Sequence, residues 1–108
     1  MTKKTVNSAT LELKESIVKK FDKDARFYIF GSAARNQQTS ESDIDVLVIT
    51  EKGKNYKDKE KLYDIAYDIE LKKNVVFGII VMSPSKWEFL GVLKTPFYLN
   101  VSRDAVRI

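Results

Sequence analysis

The sequence predicts an α+β (α/β) fold: a small mixed β-sheet of about four strands covered by helices. Three apolar runs, Phe27–Phe30, Ile44–Thr50 and Val75–Met82, have the length and composition of strands. Two longer stretches carry apolar residues at helical spacing. The two patterns alternate along the chain, in the order α-β-α-β-α-β-α-β with a short second helix.

The first helix is expected over Val6–Phe21, where Val6, Leu13, Ile17 and Phe21 share a stripe flanked by Leu11 and Val18. Phe27–Phe30 is apolar throughout and reads as a strand covered on both faces. A polar segment, Asn36–Ser42, leads to the strand Ile44–Thr50, and Glu51–Tyr56 turns around Gly53. Leu62, Ile65, Ala66 and Ile69 then mark a long amphipathic helix ending near Lys73-Asn74. Val75–Met82 is the third buried strand. Ser83-Pro84 opens another helix: Ser83 can cap, Pro84 suits the first turn, and Ser85 with Glu88 reads as a capping box. That helix carries Trp87, Leu90 and Leu93. The tail, Pro96–Ile108, holds Phe97, Tyr98, Leu99 and Val101 before a short strand, Ala105–Ile108.

The chain has 108 residues, the size of one domain over residues 1–108, and shows no repeat, low-complexity tract or linker. Hydrophobic residues make up 44% and charged residues 31%, the balance of a soluble globular protein. No apolar run is long enough to span a bilayer, and Met1–Thr5 leads into an amphipathic pattern and not a signal core. There is no cysteine, so no disulfide framework, and a cytoplasmic setting is the simple expectation. There is no histidine, which excludes His-based acid/base chemistry, Ser-His-Asp triads and the usual zinc sites. The net charge of +4 suits a phosphate-bearing ligand but is too small to argue for nucleic acid.

One stretch carries the chemistry: Gly31-Ser32, ten residues, then Asp43-Ile44-Asp45. Strand alternation puts Asp43 and Asp45 on one face, where two ionised carboxylates repel and are costly to desolvate. A divalent cation removes that cost, and hard oxygen ligands suit Mg²⁺. Gly31-Ser32 follows an apolar strand and offers backbone N–H groups and a hydroxyl to a phosphate; a plain turn with a Ser cap is compatible with that role. Together these describe a site for a nucleoside triphosphate. Ser42 reads either as a loop residue or as a hydroxyl that orients the carboxylates or reaches the triphosphate. Lys52, Lys54, Lys57, Lys59 and Lys61 alternate with Glu51, Asp58 and Glu60, the pattern of a solvated helix start and not of a nucleic-acid site. Tyr56, Tyr63, Tyr67, Trp87, Phe97 and Tyr98 read as core and interface groups.

Gly31-Ser32-Ala33-Ala34-Arg35 followed by Ser42-Asp43-Ile44-Asp45 resembles the nucleotidyltransferase superfamily with the DNA polymerase β-like fold, above all the minimal, antitoxin-like nucleotidyltransferases. The motif covers Gly31–Asp45, and the order of elements resembles the family over nearly the whole chain. The resemblance implies that Asp43 and Asp45 hold Mg²⁺, that Gly31 and Ser32 contact the β- and γ-phosphates, and that Arg35 lies beside the site. It implies transfer of a nucleoside monophosphate, AMP first, to an acceptor hydroxyl, and a helical HEPN-type toxin as partner; a homo-oligomer stays open. Active members usually carry a third carboxylate on the next strand, as general base. Here that strand has no Asp or Glu, and the acid's place is expected at Phe77 or Ile79, with Glu70 and Asp68 just before the strand. The alternative is therefore a catalytically degenerate nucleotide-binding or protein-interaction module.

Overall fold

Hydrophobic burial on both faces of one strand organises the chain. The computed structural model describes residues 3–34 and 43–108, with Ser32 and Ala33 described by their backbone alone. The strand β2 (Ile44–Ile49) is buried along its length except at Asp45. It pairs antiparallel with β1 (Arg26–Phe30) and parallel with β3 (Phe77–Met82). The short β4 (Val106–Arg107) adds antiparallel to β1, so the sheet order is β3-β2-β1-β4. This is the mixed four-stranded sheet the sequence predicts.

One face of β2, Ile44, Val46 and Val48, packs under α1 (Lys3–Lys20) and α3 (Tyr56–Lys73). The stripes that reach it are Val6, Ala9, Leu13 and Ile17 from α1 and Leu62, Ala66 and Ile69 from α3. Asn55 caps α3 by accepting the Asp58 N–H at 2.8 Å, and Asn74 ends it in the left-handed region at φ 56°. Lys72 and Lys73 of α3 reach Glu12 of α1. The opposite face of β2, Leu47 and Ile49, joins Met82 and Val101 under α4 (Pro84–Val92) and α5 (Pro96–Asp104). Here Trp87 lies against Tyr98 at 4.6 Å and edge-on to Phe97 at 6.4 Å. Tyr56, Tyr63 and Tyr67 are exposed on α3, so of the six aromatic residues read as core or interface groups only Trp87, Phe97 and Tyr98 pack inward. Lys57, Lys59 and Lys61 are solvated, as expected.

Two elements differ from expectation. The strand β3 begins at Phe77 and not at Val75, because Val75 still donates to Glu70 O and closes the end of α3. The tail contains a helix, α5, that periodicity did not show; Thr95 caps it and Pro96 opens it, as Ser83 and Pro84 do for α4. The cap of α4 is Ser83, which accepts the Lys86 N–H at 3.1 Å.

At the end of the sheet where β2 leaves the core, the buried Asp22 accepts the hydroxyl of Thr50 and the N–H of Asp24. Burial pushes the Asp22 carboxyl up, but the Thr50 hydroxyl, the Asp24 N–H and the charge of Lys52 outweigh it and hold it below the ordinary value. A depressed carboxyl stabilises the fold above its unfolded value, and that stability is lost as pH falls through the folded value. Thr50→Val is expected to cost about 1–3 kcal/mol at pH 7 and to shrink the acid-induced loss of stability. Melts recorded from neutral to acid pH check both.

Candidate active site

The site forms where three strands come together at one end of the sheet. Asp43 stands exposed just before β2 and Asp45 is the second residue within it. Alternation places Asp45 on the same face as Leu47 and Ile49, the α4/α5 side. In the sheet, Asp45 pairs with Phe30 on one side and Gly78 on the other. Gly31 follows Phe30 and opens the helical turn α2 (Gly31–Ala34) with φ +70°, a conformation that glycine adopts without the Cβ penalty of other residues. A Cβ at Gly31 would land on Asp45 Oδ2. A Cβ at Gly78 would lie 2.8 Å from Asp45 Oδ1 and 3.9 Å from Asp43 Cβ. The Asp45 carboxylate therefore sits between two glycines, one just past the end of β1 and one within β3, with Asp43 beside it.

This placement has an electrostatic cost. Partial burial, and then the neighbouring charge of Asp43, pushes the Asp45 carboxyl above its ordinary value. No lysine or arginine among the described residues forms an ion pair with either aspartate. Two hard oxygen ligands side by side, one of them disfavoured as a bare anion, fit a divalent cation. They would offer two of its ligands, and no group of three or more acidic, His or Cys side chains that could hold a metal occurs among the described residues.

The expected site residues fare differently. Asp43, Asp45 and Gly31 are brought together. Ser32 belongs to α2 by its backbone, and Arg35 and Ser42 lie outside the described residues. Phe77 and Ile79 are not the place for a third acid: both point to the α1/α3 face, where Phe77 is 9% exposed within the core. The parallel register puts Gly78 opposite Asp45, so Gly78 and Ile80 are the β3 residues on the Asp45 face, with Val76 just before the strand. Glu70 is committed elsewhere, accepting the Phe77 N–H at 2.8 Å and covering part of the open edge of β3. Asp68 borders a groove between α1 and α3, away from the aspartate pair. Gly78 is the residue of the candidate site that sequence reasoning missed. Its signal was present: a lone glycine interrupting an apolar strand marks close backbone approach or a bulge. A cleft of about 440 Å³ lined by Val6, Leu11, Ile29 and Val106 opens beside α1 and contains neither aspartate.

The model of the nucleotidyltransferase domain family matches residues 11–99, most of the chain, including this constellation. The chain belongs to the nucleotidyltransferase-domain family. A protein of Methanocaldococcus jannaschii that carries the name "Putative protein adenylyltransferase" is 30% identical over 101 residues, covering 85% of this chain and 95% of the relative. No solved structure matches the chain significantly. Nucleotidyltransferase domains generally use a divalent metal, in keeping with the donor set on β2.

A raised carboxyl destabilises the fold as pH rises through its folded value, because the native state holds the proton more tightly than the unfolded chain. Asp45→Asn should therefore raise the Tm by a few degrees at pH 7 without divalent ions, and the gain should vanish in acid. Added Mg²⁺ or Mn²⁺ should raise the Tm of the wild type and leave the variant unmoved. Thermal melts at two pH values, with and without the cation, check this.

Proposed function

We propose that this chain, as a single nucleotidyltransferase domain over residues 1–108, binds Mg²⁺-ATP in the cytoplasm and transfers AMP to a hydroxyl of a partner protein. The observation that carries the reading is the Asp43–Asp45 pair gathered at the strand ends between Gly31 and Gly78. The name of the archaeal relative supports AMP as the group moved and protein as the acceptor.

In this reading Asp43 and Asp45 hold the cation, and Gly31 with Ser32 receives the β- and γ-phosphates. The bound cation would neutralise charge on the triphosphate and on the departing pyrophosphate. The acceptor oxygen forms its bond to the α-phosphorus in line as the bond to pyrophosphate breaks. The hydroxyl proton passes to water, because Gly78 and Ile80, the β3 residues on the Asp45 face, and Val76 just before them offer no base. What the chain supplies is positioning and charge compensation. The acceptor protein would dock on the apolar face of α4: Phe89, Val92 and Leu93 are 59%, 79% and 56% exposed and share helical spacing. A helical partner of the HEPN-toxin kind, with this chain as its antitoxin, fits that face.

Gly78 favours a second reading, a nucleotide-binding interaction module with little turnover. Loss of a general base typically lowers rates by about 10² to 10⁴. Calorimetry should show Mg²⁺-ATP binding by the wild type that largely disappears in Asp43→Asn/Asp45→Asn. Labelled ATP should give little transfer to simple hydroxyl acceptors and Asp45-dependent labelling of the partner. ATP binding without any labelling of a bound partner would leave the module reading in its place; equal ATP binding by the double variant would remove the site assignment.

A further inference from the structure

We infer that Gly78 is a positioning residue for Asp45: by lacking a side chain it reserves the space in which that carboxylate stands beside Asp43. The inference rests on the reading of the two aspartates as ligands of a divalent cation.

The two glycines that flank Asp45 are glycine for different reasons. Gly31 has φ +70°, so the backbone itself disfavours any other residue there. Gly78 has no positive φ and lies within β3, where glycine weakens a strand and a β-branched residue would strengthen it. Ile80, its strand neighbour on the same face, is such a residue. Nothing in the conformation of the strand calls for glycine; the space does. An added Cβ would stand 2.8 Å from Asp45 Oδ1 and 4.0 Å from its Cγ. The carboxylate cannot simply retreat across the sheet, because Gly31 closes the other side, where Oδ2 already occupies the place of a Cβ. A methyl group at 78 must therefore shift the Asp45 carboxylate from the position it holds next to Asp43.

The full chain, free of nucleotide, is titrated with Mn²⁺ and the free ion followed by electron paramagnetic resonance, alongside thermal melts in the absence of metal. Gly78→Ala should weaken Mn²⁺ binding by about tenfold or more while melting at or above the wild-type temperature, since the backbone accepts alanine. Ile80→Ala, two residues along the same face, should leave Mn²⁺ affinity unchanged. Wild-type Mn²⁺ affinity in Gly78→Ala overturns the positioning role and leaves the metal reading intact. A Gly78→Ala variant that melts below the wild type also counts against it, because crowding of the fold would then explain any loss. Absence of Mn²⁺ binding in the wild type, equal to Asp45→Asn, overturns the metal reading and the inference with it.

Discussion

The arrangement turns on keeping two like charges side by side at the end of a buried strand. Asp45 occupies a place in β2 that hydrophobic burial would give to an apolar residue, as it does at Ile44, Val46 and Leu47. The strand is held from both faces, so the carboxylate cannot escape by moving its backbone. It is instead accommodated locally, by Gly31 just past β1, by Gly78 within β3 and by partial access to solvent. The rest of the molecule can be understood as the scaffold that makes this tolerable. The apolar packing of β2 against α1 and α3 offsets the cost at a single position.

The opposite end of the same strand shows the contrasting solution. Asp22 is more deeply buried than Asp45, yet its charge is favoured, because a hydroxyl and a backbone N–H point at it. One acid is satisfied within the fold and serves stability. The other is left with a charged neighbour and no cationic partner among the described residues, at the candidate site. Glu70 belongs with Asp22: its carboxylate accepts the Phe77 N–H, which the edge strand would otherwise present to solvent.

The α4/α5 layer carries exposed apolar side chains on its outer surface. Helix α4 has no fully buried residue; it places Trp87 and Leu90 inward and Phe89, Val92 and Leu93 outward. This layer covers the sheet face that bears Asp45, so a protein seated on it would lie on the same side of the sheet as the aspartates.

The sequence by itself determined most elements and the heart of the site. Apolar runs marked β1 and β2, helical stripes marked α1 and α3, and the period of two showed that Asp43 and Asp45 share a face. It did not show α5, a helix of nine residues, although its Thr95-Pro96 start repeats the signal read at Ser83-Pro84. Only the tertiary structure decided what stands beside Asp45. Periodicity relates residues within one strand, whereas the partner of a residue on the next strand depends on register, and a shift by one residue exchanges the two faces. That register, set by packing on both sides of the sheet, puts Phe77 and Ile79 in the core and Gly78 against Asp45. It also turns Glu70 from a free acid near the site into the cap of an edge strand.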